Sequence, residues 1–119
     1  MTKRVVVADD DKSILEVIQI VLEDVGFEVV TVSEGQKIIS VIKQVQPDLI
    51  LIDIWMSGHD GRDVTHQLKS DPKLKQIPVI VVSAHNDTEK MAREAGADCF
   101  LAKPFDIEQL QKMAKKFTN

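Results

Sequence analysis

Five short runs rich in apolar and β-branched residues punctuate this chain: VVVA at 5–8, FEVVTV at 27–32, DLILI at 48–52, PVIVV at 78–82 and ADCFL at 97–101. Runs of four to six residues are too short for buried helices, and most lack the polar alternation of a strand with one wet face. Strands of that kind must be covered on both sides, which points to a parallel sheet between layers of helices. The intervening segments supply those helices. Ile14, Ile18, Val21, Leu22 and Val25 fall on one stripe, with Glu16, Gln19 and Glu23 off it, and Gly26 stands where a helix ends. Ser33 and Gln36 read as a capping box that opens a second helix carrying Ile38, Ile39, Ile42 and Val45. A loop, MSGHDG, precedes a weaker helix near Arg62–Ser70. A polar helix with a thin stripe (Met91, Ala92, Ala95) is expected over about Asp87–Ala95, and a last one from about Asp106 through Ile107, Leu110, Ala114 and Phe117.

Strands alternating with helices imply right-handed βαβ units. The expected fold is therefore α/β, a doubly wound five-stranded parallel sheet, in one domain over residues 1–119. A chain of 119 residues can bury roughly two-thirds of its unfolded surface, enough for a core without covalent staples. Cys99 is the single cysteine, which excludes an intramolecular disulfide and a cysteine metal cluster. The net charge of -4 argues against direct nucleic-acid binding, which needs a basic face. No apolar run approaches the length of a membrane span, and MTKRVVVADDD meets three aspartates too early for a signal peptide. A cytoplasmic protein is the expectation.

In a doubly wound sheet, ligands bind at the carboxyl ends of the strands. The first strand delivers Asp9, Asp10 and Asp11 to that edge, the third Asp53, the fourth Ser83, and the fifth Lys103 followed by Pro104. Asp11 suits a helix N-cap. The remaining carboxylates would repel one another without a cation, and hard oxygen ligands lacking His or Cys suit Mg²⁺. Carboxylate nucleophile, Mg²⁺, lysine and hydroxyl together make a phosphoryl-transfer site. Three readings share this architecture. A small phosphatase or phosphotransferase with an aspartyl-phosphate intermediate normally has a second aspartate two residues on as general acid, where this chain has Trp55. An FMN-binding flavodoxin needs a phosphate-cradling loop after the first strand, where ADDDK is anionic. The third is a signalling switch phosphorylated at Asp53.

The motifs VVVADDD, LILIDIWMSGHDG, VIVVSA and FLAKPFD, in this order and spacing, resemble the receiver domain of bacterial-type two-component response regulators over essentially the whole chain. The resemblance implies a flavodoxin-like (βα)5 fold with strand order 2-1-3-4-5. It implies that Asp53 accepts a phosphoryl group from a sensor histidine kinase or phosphotransfer protein. Asp9, Asp10, Asp53 and the backbone carbonyl of Trp55 would hold Mg²⁺, with Mn²⁺ as a substitute. Ser83 and Lys103 would bind the phosphoryl group, Phe100 would swing inward on activation, and a cis peptide would precede Pro104. The face made by the fourth helix, fifth strand and fifth helix would then engage a downstream protein or output domain, with a phosphorylation-dependent homodimer as one use of it. Catalysis beyond the chain's own phosphorylation and dephosphorylation is not expected. The alternative within the family is a degenerate receiver that binds partners unphosphorylated. Trp55 and His85 occupy the positions that flank the phosphoryl group and tune its lifetime, and Trp55 is expected to shield it from water. One departure is Ser57 before Gly58, where the family usually has proline. His59 and His66 read as surface residues without a metal partner. The chain reads either as a stand-alone receiver or as part of a longer regulator or hybrid kinase.

Overall fold

A computed structural model describes residues 2–56, 59–84 and 88–119, with only the backbone of Thr88. The elements in chain order are β1 (Arg4–Ala8), α1 (Lys12–Glu23), β2 (Glu28–Val32), a 3-10 turn (Gly35–Lys37), α2 (Ile38–Val45), β3 (Leu49–Asp53), β4 (Trp55–Met56), β5 (His59–Asp60), α3 (Gly61–Ser70), β6 (Val79–Ser83), α4 (Thr88–Glu94), β7 (Cys99–Ala102) and α5 (Ile107–Thr118). Five strands form one sheet in the order β2-β1-β3-β6-β7, and every pairing in it is parallel. This is the expected 2-1-3-4-5 order, with the short β4 and β5 intercalated in the numbering.

The absence of polar alternation in the strands has its explanation in two core layers. Val6, Ala8, Ile50, Ile52, Val79 and Val81 pack with Ile38 and Ile42 of α2, Val64 and Leu68 of α3 and Ala92 of α4. Their neighbours Val5, Val7, Leu49, Leu51, Ile80, Val82 and Leu101 pack with Leu15, Ile18 and Leu22 of α1 and with Leu110 and Ala114 of α5. Side chains alternate across a strand, so both faces of the central strands had to be apolar. Each fully buried Ile or Leu here contributes about 1.5–3 kcal/mol.

Local chemistry sets the helix ends. The Asp11 carboxylate accepts from the backbone N–H groups of Ser13 and Ile14 and caps α1. After α1, Gly26 donates to the Glu23 carbonyl and Phe27 to that of Leu22. Gly96 and Ala97 repeat the pattern after α4, on Arg93 and Ala92. Both glycines have positive φ, +95° and +103°, the conformation that this closing pair of bonds requires.

Three local expectations fail. The second helix opens through the 3-10 turn at Gly35–Lys37, whose N-cap is Glu34 with no side-chain cap bond, so Ser33 and Gln36 form no capping box there. The stretch expected as a loop contains an antiparallel ribbon in which Trp55 pairs with Asp60 and Met56 with His59. Strands three, four and five run one residue further than the apolar pattern indicates. The physical reason is that backbone pairing continues past the last aliphatic side chain: Asp53 pairs with Val82 and Ser83 with Ala102. No helix among the described residues is long and apolar enough to cross a membrane.

Candidate functional site

The carboxyl ends of β1, β3, β6 and β7 meet at one edge. Asp9 follows β1 directly, and its N–H donates to the Val32 carbonyl at 3.1 Å, so the chain is still in sheet geometry as it leaves the strand. Asp9 is almost fully buried. Its Oδ1 accepts from the Asp11 N–H at 2.9 Å. Asp53 closes β3, and its Oδ1 accepts from the Trp55 N–H at 3.3 Å. Lys103, just after β7, reaches back between the two. Its Nζ donates to Asp9 Oδ2 at 2.8 Å and to Asp53 Oδ2 at 3.4 Å. Its placement is fixed by the Lys103 N–H, which continues the ladder onto the Ser83 carbonyl at 2.9 Å. The Lys103–Pro104 peptide is cis.

Asp10 completes the cluster. Asp9, Asp10 and Asp53 each offer an oxygen, and these atoms lie within 4.8 Å of one another. Three carboxylates and one ammonium leave two negative charges in excess. This excess of negative charge bears on Asp53. Burial and the neighbouring Asp9 charge push its carboxyl above the usual 3.8, against the lowering influence of Lys103 and the Trp55 N–H. Burial alone would lower Lys103, but its bond to Asp9 and the charges of Asp53 and Asp9 hold it above 10.5. The donor set is all oxygen and anionic, which fits a hard divalent cation that retains several waters.

The other expected residues divide. Ser83, fully buried, ends β6 at this same edge, opposite Ala102. Phe100 lies two residues deeper in β7, opposite Val81, half-buried against the layer that contains α2, α3 and α4. The backbone N–H of Trp55 bonds the Asp53 carboxylate. Trp55 is 44% exposed, and the Arg62 guanidinium carbon lies over its ring, 5.2 Å from the ring centroid. His59 and His66 are exposed. His85 and Ser57 lie outside the described residues.

Arg62 and Asp60 escaped the sequence reading. Asp60 caps α3, its Oδ1 accepting from the Arg62 N–H at 2.8 Å, and the same carboxylate receives the Arg62 guanidinium through Nε and Nη2. The guanidinium hydrogen bond is the main reason the Asp60 carboxyl sits below its usual value. The available signal was an aspartate before a helix with arginine two positions on, too common a pattern to indicate a contact with Trp55. Gly61 between them has a stricter role. Its N–H donates to the Ile54 carbonyl at 2.7 Å, and a Cβ there would stand 2.6 Å from Ile54 Cα and 2.7 Å from the Asp53 carbonyl oxygen. Only glycine lets α3 start this close to the strand that ends in Asp53.

Comparison with known proteins agrees with this geometry. The response regulator receiver domain family matches residues 5–115. The DNA-binding response regulator MtrA of Mycobacterium tuberculosis is 33% identical over 112 residues, covering 92% of this chain and 48% of MtrA, so the chain spans about half the length of such relatives. Among solved structures, the phosphorylated cyanobacterial phytochrome response regulator RcpA superposes with a TM-score of 0.83 at 32% identity, covering 98% of this chain and 91% of RcpA. The Mn²⁺-bound form of response regulator Rcp1 superposes at 0.79 with 27% identity, covering 96% and 90%. With the parallel sheet, the acidic cluster and the bridging lysine at its carboxyl edge, these matches show that the chain belongs to the response regulator receiver domain family.

Proposed function

We propose that this domain is a phosphorylation-dependent signalling switch whose acceptor is Asp53. The observation that carries the proposal is the convergence of Asp9, Asp10 and Asp53 from the ends of two different strands, with the Lys103 ammonium bridging Asp9 and Asp53. An Asp53 oxygen attacks the phosphorus of a phosphohistidine on a sensor kinase or phosphotransfer protein. An O–P bond forms, the P–N bond breaks, and its electron pair returns to the imidazole. Lys103 orients the Asp53 carboxylate and neutralises part of the charge arriving on the phosphoryl oxygens. Asp9, Asp10, Asp53 and the Trp55 carbonyl would hold a Mg²⁺ or Mn²⁺ ion, which supplies the rest of that neutralisation and favours the ionised, nucleophilic Asp53. That RcpA was solved phosphorylated and Rcp1 with Mn²⁺ supports the reading. The chain acts on itself alone and is not otherwise an enzyme.

The output follows from the added charge. Phosphorylation places three acceptor oxygens near one buried hydroxyl and one ammonium. Ser83 moves toward them, Phe100 follows inward, and the face of α4, β7 and α5 changes for a downstream protein or output domain in the cytoplasm. A DNA-binding regulator such as MtrA illustrates one such context, and self-association of that face is another. The test is intact mass after incubation with acetyl phosphate, with and without Mg²⁺, beside Asp53→Asn. A single phosphoryl adduct that needs Mg²⁺ and is absent in the variant is expected. A folded chain that never gains the adduct would favour a receiver that binds partners unphosphorylated.

A further inference from the structure

Trp55 is the chain's single tryptophan, and what holds it is not the acceptor site. Its ring faces the Arg62 guanidinium. All three guanidinium nitrogens are engaged, Nε and Nη2 on Asp60 and Nη1 on Met91 Sδ at 3.0 Å, with the Arg62 Cζ over the indole. Asp60 is itself fixed, both as the cap of α3 and as the ribbon partner of Trp55. The indole belongs to the residue two after Asp53, whose backbone N–H bonds the Asp53 carboxylate, and it is tied through the Arg62 side chain to Met91 in the middle of α4. A planar cation with a fixed donor fork suits all of these contacts at once, and a lysine does not.

The geometry points to Arg62 as a positioning residue that pins Trp55 beside Asp53 and makes the lifetime of a phosphoryl group there depend on where α4 sits. The inference rests on the phosphoacceptor reading of Asp53. Held by Arg62, the indole would limit the approach of water to a phosphoryl group on Asp53. Movement of α4 withdraws Met91, loosens Arg62 and frees the indole.

Two readouts separate this from the reading it rests on. The first needs no phosphorylation: acrylamide quenching of the Trp55 fluorescence in wild type, Arg62→Ala, Arg62→Lys and Met91→Ala, each checked for an intact fold by circular dichroism. Arg62→Ala is expected to raise the collisional quenching constant about twofold, with Arg62→Lys and Met91→Ala between it and wild type. The second is decay of the acyl phosphate after removal of acetyl phosphate. Arg62→Ala should hasten it by about two- to fivefold, the factor of a half-exposed cation–π contact, and should add little in a Trp55→Ala background. Unchanged quenching, unchanged decay, or an equal effect of Arg62→Ala with and without Trp55 would each overturn the assignment. A wild-type chain that takes no phosphoryl group would overturn the function itself, and the lifetime role with it, whatever the quenching shows.

Discussion

Lys69 and Lys103 stand at opposite edges of the same sheet and are almost equally buried, with 18% and 16% of their side chains exposed. Their surroundings differ in kind. Lys69 donates to the carbonyls of Lys75 and Ile77 and to Asp98 Oδ2 at 2.7 Å, and the same oxygen accepts from the Val79 N–H. All three ammonium protons are used, and one cation meets one carboxylate. That knot ties the end of α3 and the turn after α4 to the start of β6. Lys103 meets two carboxylates, with a third within 4.8 Å of both, and the sum is anionic. A saturated, neutral pair holds a fold together. An anionic one around Lys103 favours a further cation, which is what the proposed function asks of that edge.

Truncating each lysine should break the two regions differently. Lys69→Met leaves two carbonyls and a carboxylate without their donor. Allowing for the exposure of Asp98, it should cost about 2–3 kcal/mol in urea unfolding, with or without Mg²⁺. A loss that Mg²⁺ recovers would contradict the distinction. Gly61→Ala should cost about 1–3 kcal/mol, because the new methyl meets backbone rather than a side chain that can yield. It should also slow phosphorylation from acetyl phosphate, since the crowded atoms include the Asp53 carbonyl. Lys103→Met should cost about 1–2 kcal/mol without divalent cations, and Mg²⁺ should recover most of it.

Asp53 sharpens the contrast through pH. Its folded carboxyl titrates above 3.8, so between 3.8 and that raised value the folded state binds more protons than the unfolded one, and stability falls as pH rises. At neutral pH without divalent cations, Asp53→Asn should therefore melt at a higher temperature than wild type. The gain should vanish as pH falls through the window toward 3.8. A gain that persists at pH 3 would mean that charge is not its cause.

The sheet was legible because its signal is collective. Five apolar runs in alternation with helical stripes leave few other solutions, and the parallel order then carries Asp9, Asp53, Ser83 and Lys103 to one edge from positions up to 94 residues apart. Single contacts were not legible. Nothing in the pattern distinguishes Lys69, saturated by two carbonyls, from any exposed helix lysine. Arg62 is unremarkable in sequence, since its partners Trp55 and Met91 come near only after α3 and α4 have packed. The ribbon at Trp55–Met56 and His59–Asp60 is too short to show periodicity. Ser33 and Gln36 had the spacing of a capping box, but a 3-10 turn at Gly35 places different residues at the helix entry.

A carboxyl edge that is an unbalanced charge cluster should be completed by a cation. The direct test is the melting temperature against Mg²⁺ concentration at constant ionic strength, for wild type and Asp10→Asn, a substitution at an exposed position. A saturating rise is expected for wild type, reaching about 2.7 kcal/mol of added stability at a hundredfold excess over the dissociation constant, and a much weaker response in the variant. A flat response, or the same rise in both proteins, would contradict it.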